Sequence, residues 1–227
     1  MKKVIKVKYF VLLLMPFLFG FNTEAADEWQ SSWISHPDGE SYSVLHFRNT
    51  FDLKEVPKNL ELMISADIRY LLFVNDEYIG QGPANNDLRH YVYDQQEISK
   101  RLVEGKNTIA ITVFSLGDMN PLRYESSGAK LIVQANELGQ QLNTGDGNWK
   151  VYKNQAYSPT IKGEDFEIAG YYAMGGGEKV DGSKYPWNWK NSEYDEAGWV
   201  NPIKLRAGQS YGNNEGYGES SLSLQAS

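Results

Sequence analysis

Polar side chains crowd one short stretch of this sequence: Arg69, Asn75, Gln81, Asn85, Asn86, Asp87, Arg89 and His90. Further along, Tyr171, Tyr172, Trp187 and Trp189 supply large aromatic faces in segments rich in glycine and polar residues. Fixed donors and acceptors beside an apolar ring are what a neutral, hydroxyl-rich ligand needs: hydrogen bonds to its hydroxyls and a platform under its C–H surface. Arg69, Asn85, Asp87 and Arg89, combined with Trp187 or Trp189, therefore form the candidate carbohydrate-binding set. The competing reading is structural, with the polar residues capping turns and the tryptophans pinning loops. For Trp187 and Trp189, flanked by Pro186, Asn188 and Lys190, the two readings are balanced.

Other chemistry finds less support. Hydrolysis of a glycosidic bond normally needs two carboxylates about 5–10 Å apart, one held protonated. Glu164, Asp165 and Glu167 cluster, as do Asp195 and Glu196, but in polar sequence that gives no reason for burial. No catalytic residue is assigned. His36, His46 and His90 have neither metal-ligand spacing nor a sequence partner, so no metal site is assigned to them. Gly175-Gly176-Gly177 lacks the Gly-Lys-Ser/Thr that would make it a phosphate loop. Asn85-Asn86-Asp87 and Asn143–Asn148 carry oxygen ligands compatible with Ca²⁺, yet these are also the residues that turns contain, and the turn reading is preferred. No other cofactor is expected.

The elements that must position these groups read as strands. Leu60, Leu62, Ile64, Ala66 and Ile68 alternate with Glu61, Ser65 and Asp67, the period-two pattern of a half-buried strand. Tyr70–Val74 runs into Asn75-Asp76, residues that tolerate the left-handed backbone of a tight hairpin. Glu104-Gly105-Lys106-Asn107 launches another strand with Ile109, Ile111 and Val113 on one face. Val44–Leu53 and Ala129–Ala135 add two more, a tight turn at Asn143–Asn148 leads to Trp149–Tyr152, and one further strand is expected near Phe166. Trp29–Pro37 reads as an entry loop. Asp94–Leu102 fits a short helical crossover, with Asp94 as N-cap and Ile98 four residues before Leu102. The expected fold is all-β: an antiparallel, jelly-roll-like sandwich with long Gly/Tyr/Trp-rich loops. Its core should contain Leu62, Ile64, Ala66, Phe73, Ile109, Ile111, Val113, Leu131 and Val133.

The segment ISADIRYLLFVNDEYIGQGPA, followed by YVYD and LVEGKNTIAITV, resembles the N-terminal β-sandwich module of bacterial α-L-rhamnosidases, glycoside hydrolase family 78. A looser form, a strand entering a Val-Asn turn and a later Gly-x-Asn before an apolar strand, occurs in galactose-binding-domain-like sandwiches of β-galactosidase-like enzymes. The likeness runs from about Trp33 to Leu205. Asp76 departs from it, standing where glycine more often follows the turn asparagine. The resemblance implies framework roles for Trp33, Trp149 and Trp199. It also implies that catalytic acids reside in a separate helical barrel, so this chain should be a non-catalytic module that recognises rhamnose-containing plant glycans beside a glycosidase catalytic domain. The alternative is a scaffold module that binds no sugar.

The N-terminus bounds the setting. Lys2, Lys3, Lys6 and Lys8 precede an apolar run at Tyr9–Phe21, and Thr23-Glu24-Ala25 offers a small-residue cleavage site. This is the pattern of a secretory signal peptide, and the apolar run is short of the ~20 residues that span a bilayer. Residues 1–25 are thus expected to leave near Ala25, residues 26–208 to form the sandwich, and 209–227 to be a polar linker toward a downstream domain. The product would be periplasmic or secreted, without membrane attachment. Losing four lysines and one glutamate moves the net charge from −7 to about −10, which argues against nucleic acid or anionic lipid as partners. There are no cysteines, so a hydrophobic core must supply the stability.

Overall fold

Alternating side chains commit a strand to burying one face, and here two sheets bury theirs against each other. The computed structural model describes residues 29–39, 42–84, 88, 90–117, 120, 126–160, 177–210 and 223–226. The strands are β1 (Ser32–Ser35), β2 (Ser43–Leu53), β3 (Glu61–Asp67), β4 (Arg69–Val74), β5 (Glu77–Gly82), β6 (His90–Glu97), β7 (Gly105–Ser115) and β8 (Lys130–Ala135). After the one-turn helix α1 (Gly139–Leu142) come β9 (Lys150–Lys153), β10 (Tyr157–Thr160), β11 (Gly177–Val180), β12 (Ile203–Ala207), β13 (Gln209–Ser210) and β14 (Ser223–Ala226). One sheet has the order β12-β1-β8-β3-β6-β14-β13 and the facing sheet β5-β4-β7-β2-β9, with β10 and β11 forming a separate hairpin. Pairing is antiparallel except where β14 runs parallel to both β6 and β13.

The core lies between the sheets. Leu62, Ile64 and Ala66 of β3 and Leu131 and Val133 of β8 meet Leu45, Phe47 and Phe51 of β2 and Ile109, Ile111 and Val113 of β7, all buried. Each such aliphatic side chain contributes about 1.5–3 kcal/mol on leaving water. Trp149 closes one end, its indole N–H donating to the Leu142 carbonyl at 2.8 Å, which is the framework role expected of it. Trp33 and Trp199 are buried as well.

The β4–β5 turn has two central residues, Asn75 at φ 50° and Asp76 at φ 69°, so the left-handed geometry is met without glycine because Asn and Asp accept it at low cost. Asn75 is fixed from three sides. Its Oδ1 accepts the Thr108 N–H at 2.9 Å, and its Nδ2 donates to the Arg101 carbonyl at 2.7 Å and to Asn107 Oδ1 at 2.9 Å. The two asparagines of the recognised sequence pattern thus bond to each other and lock the hairpin to the start of β7.

Several expectations change. Phe73 lies on the opposite face of β4 from Tyr70, Leu72 and Val74 and packs outside the main core; the strand's parity, set by buried Tyr70, decides this. Ile68 sits at the bend between β3 and β4 and is only partly buried. The expected crossover helix at Asp94–Leu102 is instead the end of β6 plus a 3-10 turn at Ser99–Arg101, because Ile64 and Leu62 of β3 pair directly with Asp94 and Gln96. Within the expected entry loop, Ser32–Ser35 forms β1, paired to β12 and β8. The strand expected near Phe166 lies outside the described residues. In the expected linker, Gln209–Ser210 and Ser223–Ala226 are strands.

Candidate functional site

The parity that sends Phe73 outward also sends Arg69 and Leu71 to the outer face of the five-stranded sheet. Leu71 pairs with Gln81 on one side and Thr112 on the other, which brings three polar groups and two apolar ones to one surface. Arg69, Tyr70, Leu71, Gln81, Thr112 and Phe114 line an open groove of about 270 Å³. That is close to the lower end of small-molecule sites, roughly 300–1,000 Å³. Arg69 and Gln81 are exposed, and Leu71 and Phe114 present apolar surface beside them.

The other half of this face is roofed by residues 181–200. Trp189 stacks on His46, with ring centroids 4.1 Å apart and planes 26° apart, and Trp199 stacks on Tyr152 at 5.5 Å. Arg48 of β2, 1% exposed, ties the roof down. Its Nε donates to Glu196 Oε1 at 2.7 Å, one Nη donates to the carbonyls of Trp189 and Asn191, and the other donates to Thr50 Oγ1. Its guanidinium also faces the rings of Tyr194 and Trp199. His46 is held neutral: burial lowers its pKa to about 3, with the Lys190 charge adding to the effect. Its Nε2 is 2.8 Å from the Asn154 amide nitrogen, which can only donate, so Nδ1 carries the proton toward Thr112 Oγ1 at 3.1 Å.

The candidate set divides accordingly. Arg69 lines the groove. Trp187 is 66% exposed, and its indole N–H donates to the Gly182 carbonyl at 2.9 Å, which fixes the ring while leaving it in water. Trp189 is 1% exposed; with His46 against it, it is part of the roof and not a free platform, which corrects the expectation for that residue. Asn85, Asp87 and Arg89 lie outside the described residues, as do Asn86, Tyr171 and Tyr172. Trp187 contacts Tyr185 at 4.8 Å, Tyr185 contacts His46 at 5.9 Å, and His46 reaches Thr112, so Trp187 and Arg69 share one face of the sheet. Thr112, Leu71, Phe114 and Tyr185 were not singled out from sequence. For Leu71, Thr112 and Phe114 the signal was the outward parity of β4 and β7, which the sequence reading used only for the core; Tyr185, after the turn at Gly182–Lys184, had no such signal.

The remaining candidates have structural occupations. Glu196 is taken by Arg48, and Asp195 accepts the Ala197 N–H at 3.0 Å. Glu164, Asp165 and Glu167 lie outside the described residues. Asn143 Oδ1 accepts the Ala135 N–H at 2.9 Å and Asp146 pairs with Lys204 at 3.0 Å, so this segment works as a turn. Among the described residues no group of three or more His, Cys, Asp or Glu side chains is placed to hold a metal ion. On the seven-stranded sheet, Asp67 and Lys130 form a buried ion pair at 3.2 Å, completed by the Tyr91 hydroxyl and Ser127. Burial lowers the Lys130 pKa and Asp67 partly restores it. A shallow polar depression of about 380 Å³ by Gln30, Met63 and Gln134 lies on the same sheet.

Residues 18–119 match the family described as the β-galactosidase second all-beta domain. No curated protein sequence matches the chain. In fold it is similar to a family 78 rhamnosidase of Bacillus sp. GL1, with a TM-score of 0.70 and 27% identity over 88% of this chain and 20% of that one. The α-L-rhamnosidase of Dictyoglumus thermophilum gives a TM-score of 0.57 at 21% identity, and that of Aspergillus terreus 0.54 at 16%, each over 78% of this chain and 21% of the enzyme. The chain spans about a fifth of the length of the enzymes it matches. What it shares with them is the fold of a β-sandwich module.

Proposed function

We propose that this chain is an exported, non-catalytic carbohydrate-recognition module of an α-L-rhamnosidase-like glycoside hydrolase. The observation that carries the reading is the groove of Arg69, Gln81 and Thr112 beside Leu71 and Phe114, with a fixed, exposed Trp187 on the same face. Hydrogen-bonding groups next to an apolar wall suit a sugar ring, which has hydroxyls at its rim and C–H bonds on its faces. Export rests on the lysine-rich, apolar N-terminal pattern. The partners are a plant-type, rhamnose-bearing glycan and a glycosidase catalytic domain.

The groove is open and shallow, so affinity for a single sugar should be weak, with a Kd on the order of 0.1–1 mM. Calorimetry of the mature chain against L-rhamnose and rhamnose-bearing pectic fragments, with and without Ca²⁺, tests this. Saturable heat that is lost in Arg69→Ala supports it; no heat at millimolar ligand in either condition rejects it. The purified chain should release no nitrophenol from nitrophenyl α-L-rhamnoside.

One observation favours the scaffold alternative. Strand β12 is an edge strand whose Ile203 and Leu205 are exposed, near exposed Val200, and an apolar edge suits docking against a neighbouring domain. It belongs to the other sheet, so docking there would leave the groove open.

A further inference from the structure

The groove does not end at Phe114. The Tyr42 ring stands edge-on to Phe114 with centroids 6.2 Å apart. On the other side of the groove, Thr112 reaches His46, and His46 lies 5.9 Å from Tyr185. Tyr157 lies 6.3 Å from Tyr185, and Tyr185 lies 4.8 Å from Trp187. Apart from His46, none of these rings is fully buried, and exposure is greatest at Trp187. Tyr157, Tyr185 and Trp187 touch in turn, are joined to the groove through His46, and end at the most exposed aromatic among the described residues.

We propose that this row of rings, continuing from the groove to Trp187, makes the site an extended one that takes an oligosaccharide chain and not a single sugar. The inference rests on the carbohydrate reading above and deepens it. A groove of about 270 Å³ accommodates little more than one sugar ring, so a monosaccharide site would leave Tyr157, Tyr185 and Trp187 without a ligand role. Tyr157, Tyr185 and Trp187, 6.3 and 4.8 Å apart in turn, form a run of aromatic surface on which successive sugar rings can lay a C–H face while their hydroxyls stay in water. On this face the groove supplies Arg69, Gln81 and Thr112 to select one sugar; the row contributes affinity that depends on chain length. The Trp187 ring is held by its own hydrogen bond to Gly182, so little freedom is lost when a sugar lands on it.

Calorimetry with L-rhamnose and with rhamnose-bearing pectic oligosaccharides of increasing length separates the two claims. The expected result is at least a tenfold fall in Kd from monosaccharide to the longer chains. In Trp187→Ala that ratio should collapse toward one, and in Trp187→Phe much of it should return. Equal affinities at all lengths, or a ratio unchanged in Trp187→Ala, overturns the extended site while leaving the carbohydrate reading intact. Absence of binding by every ligand overturns the carbohydrate reading itself. Circular dichroism of each variant, expected to match the wild type, keeps misfolding from counting as lost binding.

Discussion

Glu196→Ala tests how the roof over the five-stranded sheet is held. The substitution leaves the Arg48 guanidinium, 1% exposed, without the carboxylate that stands 2.7 Å from its Nε, while the bonds to the Trp189 and Asn191 carbonyls and to Thr50 remain. Breaking a fully buried pair by removing one partner costs about 3–5 kcal/mol, and an exposed pair is worth about 0–1 kcal/mol. Glu196 is 32% exposed and water can reach the vacated position, so a loss of about 2 kcal/mol falls between those limits. For a domain of this size that corresponds to a drop in Tm of about 4–8 °C. The assay is urea unfolding followed by tryptophan emission, in 0.15 M and 1 M salt. The wild-type pair should survive high salt because Arg48 is buried, and buried or partly buried pairs are screened much less than exposed ones. A loss below about 0.5 kcal/mol, as at an ordinary surface site, would show that Arg48 does not hold the roof through Glu196.

Three further outcomes follow from the same structure. Ile111→Ala, at a fully buried position between the sheets, should cost about 2–5 kcal/mol in chemical denaturation. His46 has a folded pKa of about 3 against an ordinary value of 6.5, so the unfolded chain binds the extra proton between those values. Stability should therefore fall as pH drops from 6.5 toward 3, by up to about 1.4 kcal/mol per pH unit from this group, and His46→Gln should fall less steeply over that window. A Cβ at Gly82 would lie 1.8 Å from Asp94 Oδ2, whose partner is the Tyr70 hydroxyl at 2.5 Å; Gly82→Ala should cost about 1–3 kcal/mol in the same assay.

The core was readable because period two is a local signal: β3 and the far half of β7 announce their buried face without reference to anything else. Phe73 was misplaced because its parity is set by Tyr70, whose hydroxyl finds Asp94 across the sandwich, a contact no local pattern encodes. The Asp94–Leu102 spacing imitates a helix, and only pairing with β3 decides it as strand. The same limit governs the site. Arg69 and Trp187 were visible as residue types, but their common face depends on the chain Trp187–Tyr185–His46–Thr112, which joins segments far apart in sequence. Trp187 and Trp189 look alike in sequence, and His46 beneath one of them is what makes it buried and the other free.

An NMR titration of the isotope-labelled mature chain with L-rhamnose is the most direct measurement of the central claim, because it reports where the sugar sits as well as whether it binds. The carbohydrate reading predicts saturable shifts at the backbone amides of Leu71, Gln81, Thr112 and Phe114, fitting a Kd on the order of 0.1–1 mM. No shifts at tens of millimolar sugar, or shifts confined to the opposite sheet around Met63 and Gln134, would contradict it.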